Sequence, residues 1–334
     1  MLLFAGGISA CHAVFAATPQ RRWRAVAFGF KMLALSPQRP AFQQMPPTPA
    51  QAPDGVRLRP MAEADLDAAH ALSSGLRWPH RRADWEMAWR TGEGLVAERD
   101  GELVGTAVRF RHGPAHATLG LVIVAPALQG RRIGHRLMVG LLDGLGDATV
   151  LLHATTEGRG LYERLGFRAT GEMRQHQGTA QPVPPVALPD GWRLRPAGAA
   201  DAGVLAELDA AGRGMPRAGL VRALAEIAES TVMLDHDGSA KGYAMLRRFG
   251  RGHVIGPVAA PDAETARALI SHLAGLNAGR YTRVDVDAAI GLSPWLESIG
   301  LPRVDVATTM VRGTLPAPPP GAVRTVSPAT QAMG

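Results

Sequence analysis

One cysteine, Cys11, stands in 334 residues, which excludes an intramolecular disulfide framework and any multi-cysteine metal site and favours a reducing compartment, the cytoplasm. Aromatic residues are only 5%, and no basic stretch is interleaved with them, so no nucleic-acid module is recognisable. Charged residues are also sparse, at 19% against 46% hydrophobic, a balance that excludes wholesale disorder. No run reaches the roughly 18 apolar residues of a membrane span. The apolar start, Met1 to Ala17, is glycine-interrupted and has no positive charge before it. It reads as an upstream extension of the true start, with Met45 opening a proline-rich leader, rather than as a signal peptide. His112 and His116 are four apart, but Gly113-Pro114 between them prevents a helix, so no metal pair is expected.

The net charge of +7 is uneven, because residues 1–55 carry Arg21, Arg22, Arg24, Lys31 and Arg39 against Asp54 alone. What remains is mildly basic and suits a polyanionic small molecule better than a long polymer. The length favours two domains, and an internal repeat supports this. Asp54-Gly55-Val56-Arg57-Leu58-Arg59-Pro60 recurs as Asp190-Gly191-Trp192-Arg193-Leu194-Arg195-Pro196. Asp100-Gly101 is echoed by Asp237-Gly238, Val124-Ala125-Pro126 by Ala259-Ala260-Pro261, and Leu165-Gly166-Phe167 by Ile299-Gly300-Leu301. The expected organisation is a disordered or mis-started extension over 1–55, a domain over 56–176, a proline-rich linker over 177–190, a second domain over 191–315 and a disordered tail over 316–334.

In the first domain, alternation predicts strands at Val56–Pro60, Leu95–Glu98, Leu103–Phe110, Ala117–Val124, Val150–His153 and Phe167–Met173. Helices are expected at Ala62–Leu72, Ala83–Arg90, Arg132–Leu142 and Gly158–Arg164. The order is α+β, a mixed sheet with flanking helices. The chemistry concentrates where the strand ending at Val124 runs through Gln129-Gly130-Arg131-Arg132-Ile133-Gly134-His135 into a helix. A tight basic turn at a helix start points backbone N–H groups outward and forms an anion cradle. A plain helix cap with solvated arginines has the same residue types.

The run Val124-x-Pro126-x-x-Gln129-Gly130-Arg131-Arg132-Ile133-Gly134-x-x-Leu137 resembles the acetyl-CoA signature of the GNAT (Gcn5-related) N-acetyltransferase superfamily, Gln/Arg-x-x-Gly-x-Gly/Ala. Arg132 replaces the first glycine of that signature, and Gly134 keeps the second. Leu161-Tyr162-Glu163-Arg164-Leu165-Gly166-Phe167 resembles a second family element at the expected distance. The resemblance implies that Leu121, Val122 and Val124 offer backbone to the pantetheine arm, and that Gln129, Gly130, Arg131, Arg132, Ile133, Gly134 and His135 hold the pyrophosphate. It also implies that Tyr162 is the catalytic donor to the departing thiolate. Packing alone also accounts for a tyrosine there. The family often places a glutamate on the central strand, and Thr118, Leu119, Gly120 and Leu121 supply none. His112, His116 and His153 are candidates for a base, although each is more easily read as structural. Trp85 and Trp89 read as core, and Arg77–Arg82 as a solvated face.

The second copy resembles the degenerate C-terminal domain of tandem GNAT proteins of the YitH/HolE type. It has Glu264-Thr265-Ala266-Arg267-Ala268-Leu269 in place of the cradle and Leu296 near the tyrosine position, so one cofactor per chain is expected. Asp285 and Asp287 could bind an amine, although strand-end aspartates are commonly structural. Two tandem GNAT folds are thus expected. The implied function is acetyl transfer from acetyl-CoA, as co-substrate, to a small-molecule or protein amine, with no metal, nucleic acid or membrane, by a monomer or homodimer. A non-catalytic acyl-CoA-binding sensor is the alternative.

Overall fold

The computed structural model describes residues 55–315 and 318–334, so the expected N-terminal extension, with Cys11, lies outside the described residues. The first half contains β1 (Arg57–Pro60), α1 (Leu66–Gly75), α2 (Arg82–Thr91), β2 (Glu93–Arg99), β3 (Glu102–Arg111), β4 (His116–Val124), α3 (Ile133–Leu142), β5 (Thr149–Ala154), α4 (Arg159–Arg164) and β6 (Arg168–Thr179). The second half repeats the order as β7 (Trp192–Pro196), α5 (Ala202–Arg213), α6 (Ala218–Ile227), β8 (Ala228–His236), β9 (Ser239–Phe249), β10 (Gly252–Ala260), α7 (Ala263–Leu276), β11 (Tyr281–Asp287), α8 (Ser293–Ser298) and β12 (Arg303–Arg312). A further strand, β13 (Arg324–Ser327), follows.

The repeated residues recur because each solves the same local problem twice. Arg59 forks onto Asp65 at 2.7 and 2.8 Å and reaches Glu98 at 2.7 Å, tying the turn before α1 to the β2–β3 hairpin. Arg195 does the same with Asp201, at 2.8 Å twice, and with Asp235 at 2.8 Å. Both hairpins turn through two left-handed residues, Asp100 and Gly101 at φ 52° and 83°, and Asp237 and Gly238 at 47° and 79°. Asp-Gly suits this geometry because its short polar side chain tolerates positive φ and glycine has no Cβ.

The strands form one continuous sheet in the order β1-β2-β3-β4-β5-β12-β6-β11-β10-β9-β8-β7, with β13 beside β10. Each half lends its last strand to the other: β12 pairs with β5 from Arg312↔Val150 to Thr308↔Ala154, and β6 pairs with β11 from Met173↔Asp287 to Thr179↔Tyr281. β6 therefore runs on to Thr179, past the expected start of the linker. Three large apolar clusters hold the layers together. One lies under α3 and one under α7, and the third joins α1 and α2 to α5 and α6 on the opposite face.

The expected disordered tail is corrected by the structure. β13 pairs antiparallel with β10, from Val258↔Ser327 to Ala260↔Arg324, and Val326, Ala329 and Met333 are buried. The prolines at 318–320 lie in a loop before this strand rather than at the end of order, and apolar positions beyond them are buried. No helix among the described residues is long and apolar enough to cross a membrane.

Candidate active site

β4 and β5 run parallel and pair only from His116↔Thr149 to Leu119↔Leu152, and then part. On its other side β4 stays with β3 through a bulge, since Thr106 faces Ile123 and Val108 faces Gly120, leaving Leu121 and Val122 opposite Ala107. Leu121 takes φ 54° at this bulge, a left-handed conformation that costs a leucine about 1–2 kcal/mol. Its carbonyl is held by the Thr106 hydroxyl at 2.8 Å. Such strain persists where the surroundings over-determine it, and bulges re-aim a strand. Beyond Leu119, the edge of β4 that carries Leu121, Val122 and Val124 has no strand partner on the β5 side among the described residues.

That edge leads into the loop. The Gln129 amide donates to the Val124 carbonyl at 3.1 Å, Gly130 takes φ 77°, and Arg132 takes φ 61° immediately before α3. Arg132 thus adopts the conformation for which the family signature has glycine. No side chain among the described residues caps α3. Its first backbone bond runs from the Arg136 N–H to the Arg132 carbonyl at 3.0 Å, which leaves the N–H groups of Ile133, Gly134 and His135 without a backbone acceptor among the described residues. Arg131, Arg132 and His135 are exposed, whereas the Ile133 side chain is buried, so Ile133 contributes only its backbone to the cradle. A Cβ on Gly134 would make only ordinary contacts with Leu161 and Val124, so the packing of α3 on α4 and β4 does not itself require glycine there.

α4 ends in a Schellman turn, with Phe167 N–H to Tyr162 O at 3.1 Å and Gly166 N–H to Glu163 O at 3.1 Å. This sets Tyr162 in the apolar cluster that includes Leu128 and Ile133, buried and edge-on to Phe167 at 6.1 Å. Burial pushes the phenol up to about 12, so it stays protonated. α8 ends in the same turn, with Leu301 N–H to Leu296 O at 3.0 Å and Gly300 N–H to Glu297 O at 3.2 Å. Leu296 therefore stands where Tyr162 does, fully buried.

On the far side of the β4 bulge lies a cavity of about 300 Å³, lined by Gly120, Leu121 and His153 from the first half and by Phe249, Arg251 and Arg283 from the second, among others. Of the three histidine candidates, His153 lines it. Its Nδ1 sits 3.1 Å from the Thr309 hydroxyl, and its buried Nε2 has no hydrogen-bond partner among the described residues. Burial, and secondarily Arg213, drives His153 down to about 3. His112 is instead tied to Thr118 Oγ1 at 3.0 Å. The Arg77–Arg82 expectation also needs correction: Arg77, Trp78, Pro79 and His80 line the cavity, and Arg81 donates to the Arg248 carbonyl at 2.8 Å. Trp85 is core, donating to Ser73 at 3.0 Å. Asp285 is locked in a fork with Arg283 at 2.9 and 2.6 Å, and Asp287 caps a turn by accepting from the Ala289 N–H at 2.9 Å through one of its oxygens. No group of three metal-binding side chains occurs among the described residues.

The second cleft has the same plan and is closed. β10 and β11 pair only at His253↔Thr282 and Val254↔Arg283, and β13 then takes the vacated edge of β10. α7 is capped by its own Asp262, which accepts from the Thr265 N–H at 2.8 Å, and Glu264 occupies its first turn. A capped and acidic helix start disfavours an anion.

A family model described as acetyltransferase (GNAT) domain matches residues 81–181, and another with the same description matches residues 205–321. The uncharacterized N-acetyltransferase YitH of Bacillus subtilis (strain 168) is 28% identical over 171 residues, 51% of this chain and 60% of the relative. The mycothiol acetyltransferase of Nocardia farcinica (strain IFM 10152) is 39% identical over 113 residues, 32% of this chain and 37% of the relative. The chain thus spans less than two thirds of either relative's length. Among solved structures, an acetyltransferase candidate from Pyrococcus horikoshii shares the fold with a TM-score of 0.67 at 19% identity, covering 84% of this chain and 96% of that one. With a GNAT domain matched in each half and a duplicated strand order that the structure reproduces, the chain belongs to the GNAT acetyltransferase family as a tandem member.

Proposed function

We propose that the first half is an acetyl-CoA-dependent N-acetyltransferase acting on a primary amine, and that the second half binds no coenzyme. The observation that carries this reading is the contrast between two clefts of one plan. The first has an open β4 edge and an uncapped, basic helix start, while the second has its edge filled by β13 and its helix capped by Asp262.

The residues present fit the group. The free N–H groups from Ile133 to His135 and the Arg131 and Arg132 guanidiniums suit a pyrophosphate, with Gln129 and Gly130 shaping the loop, and the unpaired edge from Leu121 to Val124 suits the amide-bearing pantetheine arm. Acetyl-CoA supplies an activated acetyl thioester. A backbone N–H of β4 near the Leu121 bulge is the polarising donor for its carbonyl. Tyr162 Oη, protonated because it is buried, is the donor on the sulfur side, and His153 Nε2, neutral and unpartnered, is the acceptor on the amine side. With His153 at about 3, the imidazole passes a proton on rather than storing it, so the amine must arrive uncharged.

A sensor that binds acetyl-CoA without turnover rests on one observation, the absence of a carboxylate on β4 at the bulge. Free-thiol release measured across an amine panel separates the readings. Turnover with at least one amine supports the transferase, and binding without turnover supports the sensor.

A further inference from the structure

The segment after β13 does more than follow the second cleft; it crosses into the first. Residues 330–334 wind into one turn, with Gly334 N–H to Thr330 O at 3.0 Å and Met333 N–H to Thr330 Oγ1 at 3.2 Å. The second half holds this turn from below. Arg247 donates to the Ala329 carbonyl and Arg217 to those of Met333 and Gly334, and Arg217 is itself forked onto Asp209 at 2.9 and 2.7 Å. The first half holds it from above, where Thr118 Oγ1 donates to the Met333 carbonyl at 3.1 Å. Gly120 is the contact point: a Cβ there would lie 2.6 Å from the Ala332 oxygen, so the backbone of the segment occupies the space a side chain would need. No side chain, a carboxylate included, therefore fits at Gly120 while the segment is seated.

Thr330, Gln331 and Ala332 thereby become wall of the cavity beside Gly120, Leu121 and His153. Gln331 faces Gln175 of β6, its Nε2 donating to Gln175 Oε1 at 3.4 Å. The pair spends one donor and one acceptor on itself. The Gln331 carbonyl and the Gln175 amide nitrogen have no other hydrogen-bond partner among the described residues. The pair thus leaves one acceptor and one donor, complementary to the N–H and C=O of a carboxamide or peptide group.

We propose that the Gln331–Gln175 pair, carried into the cavity by the segment after β13, selects amine acceptors that bear a carboxamide or peptide group. This rests on the transferase reading above. A buried site built to hydrogen-bond its ligand rejects analogues that lack the matching groups, whereas an apolar wall discriminates weakly.

The test uses the full chain with glycinamide and a glycine dipeptide against alkylamines of similar size. Gln331→Leu and Gln175→Leu, checked for folding by circular dichroism, are each expected to lower kcat/KM for the amide-bearing amines by about tenfold or more while changing the alkylamines by less than about threefold. The double variant should lose little beyond either single one, because the two residues act as a pair. Independently of turnover, backbone amides of residues 329–333 should gain protection from hydrogen exchange when glycinamide is added with coenzyme A. Equal losses for both amine classes, or no loss and no protection, overturn the selection. Failure of the unaltered chain to turn over any amine overturns the transferase reading itself, and the selection with it.

Discussion

Acidification from pH 7.5 to 5.5 is expected to destabilise the fold through buried histidines. Burial holds His80 at about 4 and His112 and His153 at about 3, against an ordinary value of 6.5. The unfolded chain therefore takes up protons below pH 6.5 that the folded chain refuses until pH 3–4. Within that window the unfolded state binds more protons, so stability is present above pH 6.5 and is lost as the pH falls. One such group costs about 1.4 kcal/mol one pH unit below its unfolded pKa, so the three together cost about 4 kcal/mol at pH 5.5. His176, also lowered by burial, acts in the same direction. The carboxylates do not blur the window: Asp65 and Asp201, held below their ordinary range by Arg59 and Arg195, begin to matter only below about pH 4. A loss of this size is a large share of a typical domain's stability. Urea unfolding at pH 7.5, 6.5 and 5.5 measures it, and His153→Gln should remove about a third of the dependence. Stability that is flat or rising toward pH 5.5 would refute the reasoning.

Three further outcomes follow from the site. Tyr162→Phe should lower kcat about a hundredfold with little change in acetyl-CoA affinity, measured by thiol release and calorimetry; an unchanged rate removes Tyr162 as donor. Arg132→Gly should stabilise the chain by about 1 kcal/mol in urea, because glycine relieves the left-handed conformation at φ 61°, and a loss of stability would mean that the guanidinium outweighs the strain. With His153 at about 3, kcat/KM should rise as the ammonium form of the acceptor loses its proton and show no limb near pH 6.5; a limb there that His153→Gln abolishes contradicts the assignment.

Much of this was legible in the sequence wherever cause and effect are local. Asp-Gly gave both hairpins because positive φ is a property of those residues, and Leu-Gly-Phe gave the turn that sets Tyr162 because a Schellman cap needs only six residues. The repeat exposed the second half as a copy because its clamps, Arg59 and Arg195, recur with their partners. Two things escaped. The exchange of β6 and β12 between halves is a long-range choice that alternation cannot encode, since either pairing buries the same face. The segment after Pro320 reads as tail because four prolines in five residues precede it, and its order comes from Arg217, Arg247 and Thr118, distant in sequence. Gly120 was the one available signal: a glycine in the middle of a buried strand marks a close approach by another backbone.

The central claim is that one of two similar clefts accepts acetyl-CoA and the other is closed by the chain's own β13. Calorimetric titration of the full chain with acetyl-CoA tests it most directly. The account predicts one site per chain, lost in the charge reversal Arg131→Glu with Arg132→Glu and retained in Glu264→Gln. Two sites per chain, or one that survives the double reversal, would contradict it.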